Sequence, residues 1–372
     1  MPIKPFKLEQ YFAQHEFSVP FQLCNSDCEA LRVFELLALE PGAADRFQLS
    51  GLGYTETQGN PDLRTQIAGL YGDIEAEEVL VLSGAQEGIF LWVNTLLGPG
   101  DHAIVLFPTY ESLYQVPESV SCQVTRWPLR ENDEGRWSLD LDFLADAVRS
   151  NTRAILINTP NNPTGYRLDR AELDAVVQIA AQHGLYVFSD EVYAFLEEDG
   201  PPALCDLYDR AFTLGVMSKA FGLAGLRLGW VASRQVEALE QMRELRYYTT
   251  ICNSAPSEFL AGVALRQRDT LLGRNRRIIA ENIALFERFS AAHPALWTFC
   301  PPVAGPIAFP RLRTDEGATA FCERVINQAG VLLLPGAVYD FDDRHVRVGL
   351  GRRSAPRALA ELGRFLDERY VM

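Results

Sequence analysis

The 372-residue chain has 48% hydrophobic and 22% charged residues, a balance that predicts a globular protein with a sizeable core. Its net charge of −15, with no Lys/Arg-rich run, argues against a nucleic-acid partner. Met1 to Glu16 has charges and no apolar stretch of the signal-peptide kind, and no run approaches a membrane span, so a cytoplasmic protein with no membrane partner is expected.

In chain order, Pro5 to Phe17 predicts a short helix and Glu29 to Leu39 an amphipathic one closed by Pro41-Gly42. Between them Phe21-Gln-Leu-Cys-Asn-Ser-Asp27 turns from apolar to polar and is a candidate cleft lining. Cys24 and Cys28 have no second pair and no His partner, so the seven Cys read as free thiols and no metal site is expected. Gly51 to Pro61 is a loop by composition, followed by a helix over Leu63 to Tyr71.

From residue 78 short apolar runs alternate with helical patterns. Strands are predicted over Val79–Leu82, His102–Phe107, Cys122–Leu129, Arg153–Asn158, Leu185–Phe188, Ala211–Met217 and Arg227–Ala232. Helices are predicted over Ala85–Leu97, from Pro108 to about Val116, Leu141–Arg149 and Asp169–His183. This alternation predicts an α/β fold with a mostly parallel sheet covered on both faces. After Glu237 a long helical region, broken near Asn253 to Pro256, leads to Pro301 and Pro302. Strands near Pro306–Leu312, Val331–Leu334 and His345–Leu350 then mix with helices near Ala318–Ala329 and from Pro356, the pattern of a smaller α+β domain. The expected division is a large domain over 45–250 and a small one from 1–44 and 251–372.

Ligands of open parallel sheets bind beyond the carboxyl ends of the strands. There the sequence places Ser83-Gly84, Tyr110, Asn162, Asp190 and Lys219. Taken singly, each has an ordinary structural explanation as a helix start, a turn, an N-cap or packing. Together they match the needs of pyridoxal 5'-phosphate, an electron sink that is held by a Lys and kept protonated at its ring nitrogen. Asp190 suits that nitrogen, Asn162 and Tyr193 the ring hydroxyl, and Tyr110 the ring face. The turn from Ser83 to Gln86, with Ser218 and Arg227, suits the phosphate.

With these motifs the chain resembles the fold-type I pyridoxal-phosphate enzymes, specifically the class I/II aminotransferases. The matching stretches are Tyr54-x4-Gly59-x3-Leu63-Arg64, Ser83-Gly-Ala-Gln-Glu87, Asn158 to Gly165, Ser189-Asp-Glu-Val-Tyr193, Ser218 to Arg227 and His345-Val-Arg-Val-Gly349. The resemblance implies a mostly parallel seven-stranded sheet and a smaller domain. It also implies a transaminase that exchanges an amino group between an L-amino acid and a 2-oxo acid.

Residue by residue, the resemblance makes Lys219 the Schiff-base anchor and proton shuttle, with Asp190 and Tyr193 as catalytic partners. It gives the phosphate to Gly84, Ala85, Gln86, Ser218 and Arg227, and makes Tyr110 and Asn162 ring contacts. Arg347 would bind the substrate carboxylate, alongside Asn162 and Asn25. Tyr54 would reach the neighbouring subunit's phosphate, so a homodimer with shared sites is implied.

Three stretches depart from the family. Val216 stands where many relatives have a Ser, Leu23 to Asp27 replaces a Gly-containing segment, and Tyr247 to Ser257 lacks a common Gln. The substrate therefore stays open; Tyr247, Tyr248, Phe12 and Asn25 are candidates for its pocket. A lyase or cyclase on the same scaffold is the alternative. A cofactor-binding regulator without turnover is less expected, because such proteins carry an added DNA-binding region.

Overall fold

The structure, a computed structural model, describes residues 3–370. Seven strands form its central sheet: β1 (Val79–Leu82), β2 (His102–Phe107), β3 (Gln123–Pro128), β4 (Thr152–Asn158), β5 (Tyr186–Asp190), β6 (Ala211–Val216) and β7 (Gly229–Ala232). Their order is β1-β7-β6-β5-β4-β2-β3. All neighbours run parallel except β7, which is antiparallel to both β1 and β6. Strands β1, β2, β6 and β7 are buried along their whole length, which is why they read as continuous apolar runs.

Strand register decides which loops meet at one edge of the sheet. Asn158 pairs with Asp190, and Asp190 with Leu214. Gly229 opens β7 opposite both Leu82 and Val216. The turn after β1 and the loop after β6 are thereby brought to the same edge as Asp190. A Cβ at Gly229 would lie 2.9 Å from the Ala85 nitrogen, so only glycine lets the turn pass this close.

Helix α1 (Lys7–His15) precedes the sheet, α2 (Ala85–Leu96) follows β1 and α3 (Arg170–His183) follows β4. The α3 ends follow sequence rules: Asp169 and Glu172 form a reciprocal capping box, and Gly184 closes the helix in the left-handed region. The helix expected over Glu29 to Leu39 is shorter, Val33–Leu37. Its first residues are drawn into long-range backbone bonds, Cys28 to the Lys219 carbonyl and Glu29 to the Gly351 carbonyl, and Arg32 becomes the cap. The strand expected over Pro306 to Leu312 is split into Ile307–Ala308 and Arg311–Leu312, because Pro310 has no N–H to donate.

The C-terminal part builds a three-stranded antiparallel sheet in which Val346–Gly349 lies between Ile307–Ala308 and Leu334–Pro335. Phe21–Gln22 pairs parallel with Val331–Leu332, and Gly349 donates to the Leu23 carbonyl at 2.8 Å, so the N-terminal segment is stitched to this part. The long helix α4 (Arg268–Ala292) joins the two regions. Leu271, Leu272 and Ile279 pack in the cluster under β1 and β7, and Phe286 packs with the C-terminal helices α5 (Ala318–Ala329) and α6 (Ala355–Tyr370).

Gly215 in β6 lies against the Trp230 indole, and a Cβ there would sit 2.3 Å from the ring. Gly215→Ala should destabilise the fold by about 1–3 kcal/mol through overpacking. Urea unfolding of the two proteins measures this; unchanged stability would mean the indole can move aside.

Candidate active site

A cavity of about 410 Å³ opens at this edge of the sheet and is closed from the other side by α1 and the Asn25–Asp27 segment. Of the residues expected from sequence, it gathers Asn25, Ala85, Gln86, Tyr110, Asn162, Asp190, Tyr193, Ser218, Lys219, Arg227 and Arg347. Gly84 stands just behind the lining, at φ +99°, where a Cβ would come within 2.9 Å of an Arg227 guanidinium nitrogen. Tyr54 is not part of the cavity within one chain and is 91% exposed. Phe12 lines the cavity, whereas Tyr247 and Tyr248 are exposed and do not.

At the sheet side, α2 starts without any side-chain cap, so its first amide groups are left for a ligand. Arg227, itself in the left-handed region at φ +48°, donates to Ser218 Oγ at 3.5 Å and to the Ala224 carbonyl at 3.2 Å. Val216 forms apolar wall here. Lys219 donates to Ser26 Oγ at 2.9 Å. The sequence has Lys at positions 4, 7 and 219 alone. Lys4 and Lys7 are exposed and paired with Glu118 and Asp340, which leaves Lys219 as the lysine at a cavity.

At the far side Arg347 is buried in its strand, unlike the exposed Arg344 and Arg353 nearby. Its Nε and Nη2 donate to the Cys24 carbonyl at 3.0 and 2.8 Å, and Nη1 donates to Asn162 Oδ1 at 3.1 Å and to the Tyr339 hydroxyl. Tyr339 in turn donates to Asn162 Oδ1 at 2.8 Å. These contacts fix the guanidinium and leave part of Nη2 free to bind an anion. Arg352 is held bidentately by Asp27 at 2.9 and 2.8 Å, and Asn25 accepts from it at 3.1 Å.

Sequence reasoning marked the polar segment at 23–27, which supplies Asn25, Ser26 and Asp27, but did not single out Ser26, Asp27 or Arg352. Glu9, Phe12 and Glu16, spaced i, i+3 and i+7, also line the cavity, a periodicity that was readable. Tyr339 had no such signal, since its contact with Asn162 spans 177 positions.

Burial lowers the Lys219 pKa and Arg347 adds to this, while Asp27, Glu9 and Asp190 oppose it. Burial pushes the Asp190 carboxyl up to about 7, against the lowering effects of the Val192 N–H and Lys219. The buried Tyr193 hydroxyl sits near Ser26 but makes no well-directed hydrogen bond. A buried acid without a full counter-charge, an orphaned phenol, uncapped helix amides beside an Arg, and a lysine with a lowered pKa fit the ring nitrogen, ring oxygen, phosphate and aldehyde of pyridoxal phosphate.

The sequence model for aminotransferase class I and II matches residues 47–360. The chain belongs to that family of pyridoxal-phosphate-dependent enzymes. It is 29% identical over 368 residues to capreomycidine synthase of Streptomyces vinaceus, covering 98% of this chain and 92% of that one. A PLP-dependent aminotransferase of Streptococcus suis 89-1591 superposes with a TM-score of 0.93 at 32% identity, covering 99% of each chain. The PLP-dependent cyclase OrfR superposes with a TM-score of 0.90 at 30% identity, covering 99% of this chain and 98% of that one.

An acid protonated in the fold but ionised when unfolded makes stability fall as pH rises between its two pKa values. For Asp190 that window runs from 3.8 to about 7. Cofactor-free protein should therefore lose stability relative to its Asp190→Asn variant across this window, with the difference level above it. Urea unfolding of both proteins over a pH series checks this; a difference that does not vary with pH would mean Asp190 is already ionised in the cofactor-free fold.

Proposed function

We propose that this chain exchanges an amino group between an L-amino acid and a 2-oxo acid in two half-reactions. The observation that carries this reading is the meeting of Lys219, Asp190 and Arg347 at one cavity. Bound there, pyridoxal phosphate supplies an electron sink and a carrier for the amino group. Lys219 Nζ would hold the cofactor covalently and, as a neutral amine, would move the proton at the substrate Cα, a role its lowered pKa supports. Asp190 keeps the ring nitrogen protonated.

Tyr193 and Asn162 would hold the ring oxygen, and Tyr110, which donates to Glu9 at 3.3 Å, would pack on the ring face. Gly84, Ala85, Gln86, Ser218 and Arg227 take the phosphate. Arg347 orients the substrate α-carboxylate, with Asn162 and Asn25 beside it. The proposed division into domains at 45–250 and at 1–44 with 251–372 puts this cavity at their seam; α4 belongs to the second unit and packs Leu271, Leu272 and Ile279 against the first.

A homodimer in the cytoplasm belongs to the same reading. Exposed Leu49, Leu52 and Tyr54 lie on one stretch and Tyr247, Tyr248 and Ile251 on another, and a Thr55–Asn253 hydrogen bond of 3.3 Å holds the two stretches together. Such a patch favours association, and each Tyr54 would then reach the phosphate end of the neighbouring cavity. Solution mass should be twice 41.6 kDa, and Tyr54→Ala should weaken cofactor retention; a monomer that keeps its cofactor fully would contradict this.

A cyclase or lyase is the second reading, favoured by the full-length similarity to a synthase and a cyclase. A panel of amino acids separates the two. Loss of the visible absorbance of the bound cofactor on adding a donor, and its return on adding an oxo acid, supports transamination. Release of ammonia or a cyclised amino acid without any acceptor supports the alternative. Under either reading Lys219→Ala should abolish turnover and the visible absorbance, and an unchanged spectrum would exclude Lys219 as the anchor.

A further inference from the structure

The charges around the cavity do not all find partners. Its basic side chains are Lys219, Arg227, Arg347 and Arg352, and its acidic ones Glu9, Glu16, Asp27 and Asp190. The proposed function uses Lys219, Arg227, Arg347 and Asp190 for the cofactor and the α-carboxylate. Arg352 and Asp27 neutralise each other through a bidentate pair. Glu9 and Glu16 remain. Glu9 accepts one hydrogen bond, from Tyr110 at 3.3 Å, and neither carboxylate has an ion pair among the described residues.

Their position is specific. Glu9 and Phe12 lie on one face of α1, and Glu16 caps its end in helical conformation. The Arg347 guanidinium carbon sits 5.6 Å from the centre of the Phe12 ring, so this face stands over the α-carboxylate site. Along the axis Glu9 lies about 4.5 Å to one side of Phe12 and Glu16 about 6 Å to the other. The cavity is prepared for a ligand independently of these acids, since the buried Tyr193 hydroxyl that lines it lacks a directed partner. Burial raises the Glu16 carboxyl, and Asp27 and Glu9 add to this, against the lowering effects of Arg352 and Lys219.

We propose that the site takes an amino acid whose side chain carries a cation, a guanidinium or an ammonium, with the aliphatic stem on Phe12 and the cation in the field of Glu9 and Glu16, which flank that ring. This rests on reading the cavity as an amino-acid site. A substrate with an acidic side chain is disfavoured because the one remaining cation, Arg352, is already held by Asp27. A neutral side chain would leave both carboxylates without a cationic partner.

The test compares L-arginine, L-lysine, L-glutamate and L-citrulline, a neutral isostere of arginine, by calorimetric binding to the holoenzyme. At least one cation should bind about tenfold or more tightly than citrulline, with glutamate weaker still. Which cation wins tells guanidinium from ammonium. In the Glu9→Gln/Glu16→Gln double variant the preference should fall to within about twofold. Citrulline or glutamate matching both cations in the unmodified enzyme would overturn the assignment and leave the amino-acid function standing. So would a preference that survives the double substitution. Failure of every amino acid to bind would overturn both readings.

Discussion

Lys219 and Asp190 are ionisable groups gathered at one cavity at the edge of one sheet, the carboxyl buried and the amine half-buried, and neither is comfortable alone. Burial disfavours charge on the amine and leaves the carboxyl close to half-protonated at neutral pH. A group carrying a protonated ring nitrogen answers the carboxyl, and an aldehyde answers the amine. Much of the fold serves to hold these two groups at one edge. The parallel register aligns Asn158 with Asp190, and antiparallel β7 brings the turn after β1 beside the loop after β6. Glycine at 229 allows that approach at 2.9 Å.

The other half of the site comes from the two ends of the chain. Phe21–Gln22 joins a C-terminal strand, and the segment after it delivers the Cys24 carbonyl to Arg347 and Ser26 to Lys219. Arg347 is positioned before any substrate arrives, because the Cys24 carbonyl, Asn162 and Tyr339 already satisfy most of its donors. That pre-ordering suits a clamp whose purpose is orientation, since the entropy of fixing the side chain is met on folding. Substrate choice is then left to α1, the element that differs most in character from the sheet edge: exposed, amphipathic and acidic toward the cavity.

The sheet edge was largely legible in the sequence. Buried parallel strands leave short apolar runs, and the polar residue that ends each run is where a ligand must bind, so Asp190, Asn162 and Lys219 could be picked out in order. The substrate side was less legible, for physical reasons. Tyr339 meets Asn162 only through tertiary folding, and no local pattern announces it. The segment at 29–31 has helical periodicity, yet long-range backbone bonds from Cys28 to Lys219 and from Glu29 to Gly351 tie down its start, and the helix begins only at Val33. Arg347 was marked by the His345-Val-Arg-Val-Gly349 motif, and its burial separates it from the exposed Arg344 and Arg353 nearby. Tyr54 lies outside the cavity of a single chain, so the role proposed for it requires a second copy.

Because Lys occurs only at positions 4, 7 and 219, the anchor can be identified chemically. Purified protein saturated with pyridoxal phosphate, reduced with borohydride and digested should yield one peptide bearing the pyridoxyl mass. That peptide should contain Lys219. Label on Lys4 or Lys7 with Lys219 unmodified, or no stable label at all, would contradict the convergence of the strand ends on Lys219 as the seat of the chemistry.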